Sequence, residues 1–181
     1  VDNQSKACQI NLEGEIQIIR IRSLTRKYGR VGRLLAEQSY SSKIKRNLKN
    51  LQNIPYDGII CYSPSIFYGK AVRWLKKKYN SKAYLVIRDI FPKWTVDTGL
   101  LKKGLIYKYF KIVERNLYSS CDVIGIEAKS DLDYFKNYGL NKSIKIEVLN
   151  NWGSPLGQID DYLSSDNPLD RRKVNIVYGG N

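Results

Sequence analysis

The sequence predicts an α/β fold: a Rossmann-like parallel sheet flanked by helices. Three observations carry that prediction. Short apolar runs recur at Ile59–Tyr62, Ala83–Arg88, Asp122–Ile126 and Ile144–Leu149. Segments of helical periodicity separate them, at intervals too long for hairpins, so successive strands run parallel through crossover helices. The chain's 181 residues, 43% of them hydrophobic, suffice for the core of one ordinary domain.

Each element follows from its local pattern. Glu15–Arg22 (EIQIIRIR) alternates as a strand after the turn-like Glu13-Gly14, leaving 1–14 as a residual N-terminal segment. Residues 23–32 read as a basic loop with Gly29 and Gly32, and 31–51 as a helix whose stripe weakens at Gln38-Ser39-Tyr40-Ser41-Ser42. Pro55-Tyr56-Asp57-Gly58 is a turn before the strand at 59–62. Ser63-Pro64-Ser65 then leads into a helix over 66–79, with Ala71, Trp74 and Leu75 on one side and lysines on the other.

Ala83–Arg88 is the most continuous buried strand and ends at Asp89-Ile90-Phe91-Pro92. Leu105–Tyr118 is amphipathic, with Ile106, Phe110, Val113 and Leu117 at i, i+4, i+7 and i+11. A strand at 122–126 and a helix over 130–138, closed by Gly139, lead to the strand at 144–149 and then Asn150-Asn151. The Rossmann-like domain therefore covers 15–156. Residues 157–172 carry Asp160, Asp161, Asp166 and Asp170 and read as a linker, and 173–181 as one further strand opening into a loop.

Composition removes several chemistries. With no His, there is no His general base, no Ser-His-Asp or Cys-His catalysis and no His-ligated metal. Cys8, Cys61 and Cys121 lie too far apart for a zinc motif, and an odd count argues against a disulfide framework, so a reducing, cytosolic setting is expected. The longest unbroken apolar run is Ala83–Ile87, far short of the roughly 20 residues of a membrane-spanning helix. The chain has no Met and begins Val1-Asp2-Asn3, from which we expect a piece of a longer protein or the product of a broken gene.

Charge is concentrated. Residues 20–50 hold ten Lys/Arg against one acid, Glu37, and residues 70–82 hold six and no acid. These windows contribute +9 and +6 of a net +14, so the remainder sums to −1. A basic face on a neutral body points to an anionic partner. In the first window the charges, among them Arg26, Lys27, Arg30 and Arg33, interleave with Tyr28, Leu34, Leu35, Tyr40 and Ile44, a pattern suited to an interface with lipid.

Common phosphate-binding signatures fail. Gly99-Leu-Leu-Lys-Lys-Gly104 has P-loop spacing, but Leu105-Ile106 follows where Lys and Ser/Thr belong, and Gly29-Arg-Val-Gly32 is half a dinucleotide fingerprint. What remains are polar residues at the C-terminal ends of predicted strands, where open parallel sheets bind ligands. These are Ser63, Arg88 with Asp89, Glu127, and Asn150 with Asn151. Trp94 and Asp97 follow in a loop or helix start at the same edge. The structural alternative is an Arg-Asp pair capping the next helix, with Phe91 in the core.

Leu85-Val-Ile-Arg-Asp-Ile-Phe-Pro-Lys-Trp-Thr-Val-Asp-Thr-Gly-Leu100 closely resembles a segment of bacterial family 4 glycosyltransferases. The likeness continues through Val113-Glu-Arg-Asn-Leu-Tyr, Asp122-Val-Ile-Gly-Ile, Leu132-Asp-Tyr-Phe, Glu147-Val-Leu-Asn-Asn-Trp152 and Val174–Asn181. These retaining enzymes of O-antigen, capsule and exopolysaccharide assembly have two Rossmann-like domains in a GT-B arrangement. The subgroup is similar to N-acetylfucosamine transferases. The resemblance implies the N-terminal, acceptor-side half, lacking its first strand, and 173–181 as the start of the donor domain.

It further implies a nucleotide-diphosphate sugar as donor, a lipid-linked glycan as acceptor, no metal or other cofactor, and no nucleic-acid partner. The expected location is the cytoplasmic face of the membrane, peripherally, with Arg26, Lys27, Arg30 and Arg33 facing the anionic surface. Arg88 and Asp89 would line the cleft near the transferred sugar, with Trp94 and Asp97 shaping the acceptor site. Ser63, Glu127, Asn150, Asn151, Gly179, Gly180 and Asn181 would complete the substrate contacts. Glu127-Ala128 departs from the Ser or Gln-Ser common in the family at that strand end. The fragment alone is expected to transfer no sugar, and a missing first strand to leave a sheet edge and an apolar face uncovered. Two rival readings are a basic nucleic-acid or polyanion-binding module and an inactive remnant of a truncated gene.

Overall fold

Four parallel strands form the main sheet of the described residues: β3 (Gly58–Ser63), β4 (Lys82–Ile87), β5 (Val123–Ile126) and β6 (Lys145–Val148), adjacent in that order. The computed structural model describes residues 8–23, 29–49, 56–63 and 65–150, the side chains of Arg30 and Val31 excepted. The predicted linker at 157–172 and the strand and loop at 173–181 lie outside the described residues. The observed class is the predicted one, α/β with a Rossmann-like parallel sheet flanked by helices.

The register aligns Ser63 with Ile87, Ile87 with Ile126 and Ile126 with Val148, so the four strands end at one level. Between them run α3 (Gly69–Tyr79), α4 (Lys93–Asp97), α5 (Leu105–Tyr118) and the short α6 (Leu132–Lys136). Right-handed crossovers that all step in one direction fall on one face of a sheet. Accordingly Cys61, Leu85, Ile87, Ile124 and Ile126 pack with Val72 of α3, Leu117 and Tyr118 of α5, and Phe135 of α6. On the other face of the edge strand β3, Ile60 is 79% exposed and Tyr62 50%.

Before the sheet, α1 (Gly29–Gln38) and α2 (Tyr40–Leu48) replace the single predicted helix. The break falls at Ser39, whose hydroxyl donates to the Ala36 carbonyl at 2.6 Å, a local bond that competes with the helix ladder. Helix α1 also starts earlier than expected, at Gly29, whose φ of +60° suits glycine.

The N-terminal segment requires a further correction. Residues Cys8–Glu13, expected as residue of a missing region, form β1, which pairs antiparallel with β2 (Ile16–Ile21). Gly14, at φ +61°, occupies the first position of the two-residue turn, as a type II′ hairpin requires. The predicted strand at 15–22 is therefore real but belongs to a separate two-stranded sheet.

Helix α6 is held by an acid. Glu114 on α5 is fully buried and accepts from the Tyr134 and Tyr138 hydroxyls at 2.6 Å each and from Lys111 Nζ at 2.5 Å. Burial first, and Glu114 next, push both tyrosine pKa values well up. Both carboxylate oxygens are thus taken by the chain's own donors, which makes Glu114 a clamp between α5 and α6.

At the opposite end of the strands, Asp122 performs a similar task. Its carboxylate accepts from the Ala83 N–H at 2.8 Å and meets Lys76 Nζ at 2.6 Å, joining β4 and α3 to the start of β5. Partial burial works to raise its pKa, but the bonds from Lys76 and Ala83 outweigh it and hold the carboxyl below the usual range. Asp122→Ala is expected to cost about 1.5–3 kcal/mol at neutral pH, as for a charged hydrogen bond. Because the folded value is lowered, the carboxylate's stabilisation is complete above the unfolded pKa and is lost as pH falls through the folded one. Urea titrations should therefore show the gap between wild type and variant closing on acidification.

Candidate functional site

The predicted site residues that are described do stand at the C-terminal edge. Ser63 ends β3, Arg88 follows β4, Glu127 follows β5 and Asn150 lies just past β6. Asn151, Gly179, Gly180, Asn181, Arg26 and Lys27 lie outside the described residues, as does the side chain of Arg30.

A cavity of about 400 Å³ opens at the β3–β4 end of that edge. Its polar lining is Arg33 and Glu37 from α1, Ser63, Ser65, Asp89 and Thr95; its apolar wall includes Phe91, Trp94 and Phe110. Asp89 enters because strand residues alternate sides and the chain turns immediately after β4. Trp94, 42% exposed, stands on α4 beside Phe91, their rings 6.4 Å apart. Phe91 in turn packs edge-on against Phe110 at 4.9 Å, which fixes the wall to α5.

Glu37 organises the polar side. One oxygen accepts from Arg33 Nε at 2.8 Å and the other from the Ser65 hydroxyl at 2.8 Å. Ser65 caps the helical turn that leads into α3, accepting from the Phe67 N–H. The hydrogen bond from Arg33 to Glu37 raises the guanidinium pKa above its ordinary value. Ser63 is buried and donates to the Ser65 carbonyl at 3.1 Å, so it shapes the cavity floor.

The Arg-Asp pair of the structural alternative does not form, and the two residues, expected together along the cleft, part. Consecutive residues leave a strand on opposite sides, and Arg88 turns away from the cavity, donating to the Tyr62 hydroxyl at 3.0 Å and pairing with Glu127 at 3.1 Å. The Tyr62 bond first, then Glu127, raises its pKa. The sheet edge thus brings Arg88 to Glu127, and Asp89 to Arg33 and Trp94. Asp97 pairs with Lys93 on the exposed side of α4 and does not line the cavity. Asn150 is exposed and contributes no lining.

Glu37 and Ser65 are the residues that sequence reasoning left unassigned. Each had a signal: Glu37 is the sole acid among ten bases, and Ser65 lies two residues past a strand end, before a helix. Phe91, read in one alternative as core, packs against the core and also forms cavity wall. The buried thiols offer no nucleophile, since burial pushes the pKa of Cys61 up to about 11 and of Cys121 up to about 12. Among the described residues no group of three or more His, Cys, Asp or Glu is placed to hold a metal. None of the described helices is long and apolar enough to cross a membrane.

Fold and cavity together define a Rossmann-like α/β domain with a carboxylate-bearing, aromatic-walled cleft at its strand ends. Set against protein-family models, curated proteins and solved structures, the chain matches none.

Proposed function

We propose that this chain is the acceptor-side domain of a retaining glycosyltransferase that moves a sugar from a nucleotide-diphosphate donor to a lipid-linked glycan at the cytoplasmic membrane face. One observation carries the reading: two carboxylates, a guanidinium and an aromatic wall that includes the exposed Trp94 converge on one cleft at the strand ends. That set suits a sugar. Carboxylates accept from several hydroxyls at once, and an aromatic face covers the apolar side of a pyranose ring. The cleft volume falls in the range of small-ligand sites. The resemblance around Leu85–Leu100 supports the same class.

In this reading Trp94 and Phe91 form the platform, Asp89 accepts from acceptor hydroxyls, and Glu37 holds Arg33 and Ser65 in place so that Arg33 supplies the countercharge. No residue is assigned the role of base. In retaining transfer the departing phosphate itself takes the acceptor proton, so the domain's task is to orient the acceptor.

Titration of the chain with a water-soluble, short-chain polyprenyl diphosphate carrying one hexose tests this. Saturable binding is expected, with Trp94→Ala weakening it up to about tenfold, the scale of one lost aromatic contact. Absence of binding to that probe, alongside salt-sensitive binding of duplex DNA, would assign the chain to the polyanion-binding class instead.

A further inference from the structure

Helix α5 carries a second, exposed apolar stripe. Leu105, Tyr109 and Ile112 fall at i, i+4 and i+7 on one face, exposed by 84%, 39% and 68%. The core-facing stripe of the same helix is Phe110, Val113 and Leu117; Ile106, expected to join it, is 60% exposed instead. Single exposed aliphatic side chains are ordinary, but an aligned set on one helix marks an interaction surface.

The stripe is continuous with α1. Gln38 Nε2 donates to the Tyr109 hydroxyl at 2.9 Å, and Leu35, one turn earlier on α1, is 55% exposed. A groove of about 440 Å³ runs between these helices and the head of α3, with Tyr109 and Ile112 in its wall and Lys70 beside it. Phe110, the neighbour of Tyr109 in sequence, is wall to the sugar-sized cleft.

Charge identifies the partner. Residues 98–113 contain Lys102, Lys103, Lys108 and Lys111 and no acid. Lys111 is engaged with Glu114, and the other three lysines bracket the stripe. Helix α2 (Tyr40–Leu48) adds Lys43, Lys45 and Arg46, again without an acid. Protruding Leu and Ile within a ring of lysines suit a surface that is apolar inside and anionic at its boundary, with Tyr109 at the level between. Nucleic-acid backbones reward the lysines but offer nothing to the aliphatic side chains.

We infer that the α5 stripe, extended by Leu35, inserts into the headgroup region of an anionic lipid bilayer. This deepens the membrane-facing part of the function proposed above and rests on it, and it centres the contact on α5, with Leu35 and the α2 bases of the 20–50 segment at its border. Placed so, the cleft opens beside the lipid surface from which its acceptor would come.

The test is co-sedimentation of the full chain with vesicles of phosphatidylcholine alone and of phosphatidylcholine with 30% phosphatidylglycerol (a proportion of about a third is ample to set the surface potential). Leu105→Glu and Ile112→Glu are compared with Lys43→Glu, after circular dichroism shows each folded. Both α5 changes lie on exposed positions, so folding should hold. Wild type is expected to sediment with the anionic vesicles and each α5 variant to lose roughly tenfold in partitioning, the effect of removing one inserted aliphatic side chain. Binding by wild type that the α5 variants keep and Lys43→Glu loses would overturn the insertion while leaving a basic membrane face. No binding of wild type to either vesicle would overturn the membrane reading as well. Self-association abolished by the α5 changes, with vesicle binding intact, would reassign the stripe to contact between copies of the chain.

Discussion

Glu114→Ala is expected to destabilise the domain by about 3–5 kcal/mol, the range for breaking a buried ionic network from one side. The change removes the acceptor of the Tyr134 and Tyr138 hydroxyls and the counter-ion of Lys111, which keeps only its contact with the Tyr134 hydroxyl. It also opens space beside Tyr118, Phe135 and Tyr138, whose rings pack at tilted angles to one another. Tyr134→Phe and Tyr138→Phe should each cost nearer 1 kcal/mol, since each removes one hydrogen bond and keeps its ring. Denaturant midpoints measure all three. A Glu114→Ala midpoint equal to wild type would mean that α6 is held by ring packing alone. This carboxylate also illustrates why burial is not function: perturbed tyrosines around an acid attract a catalytic reading, yet every acceptor atom here is already occupied.

Gly69→Val is expected to rank second. A Cβ at Gly69 would stand 2.8 Å from the Leu117 nitrogen and 2.9 Å from its Cα, so α3 and α5 cross with backbone against backbone. Those atoms cannot swing aside as a side chain can. Even Gly69→Ala, which gains about 1 kcal/mol of helix propensity, should lose more than that to overpacking, typically about 1–3 kcal/mol; Val adds its branches to the same clash. The contrast is Gly125, where the obstacle is the Tyr84 ring. That ring can rotate toward solvent at the cost of its hydrogen bond to Glu147, so Gly125→Ala should be milder. Thermal melts of the three variants give the order directly. A Gly69→Ala protein as stable as wild type would show that the helices have room to part.

The parallel strands were legible because their apolar runs are short, β-branched and spaced for crossovers; each observed strand lies within two residues of its expected bounds. Polar residues at their ends were legible for the same reason, since strand ends and ligand edge coincide in such sheets. The separation of Arg88 from Asp89 was implicit in the period-2 geometry, although adjacency in sequence suggested a pair. The hairpin strand Cys8–Glu13 was missed although Cys8, Ile10 and Leu12 alternate with polar residues and Gly14 marks the turn, because the segment was read as a residual terminus. Glu37 reaches the cleft only through the packing of α1 beside Ser65, a contact across 28 positions that no local pattern encodes.

The strand order has a consequence for how the molecule is made. Each strand of the central sheet pairs with the one translated just before it: β3 with β4, β4 with β5, β5 with β6. No strand must wait for a distant stretch of chain to supply its neighbour, so loop-closure costs stay small at every step. The sheet can extend in the order of synthesis, one crossover unit at a time, at the pace of the ribosome. A nascent chain lengthened past Ile126 just far enough to free β5 from the ribosome would then already hold β3, β4 and β5 in register, with β6 and the α6 clamp still to add.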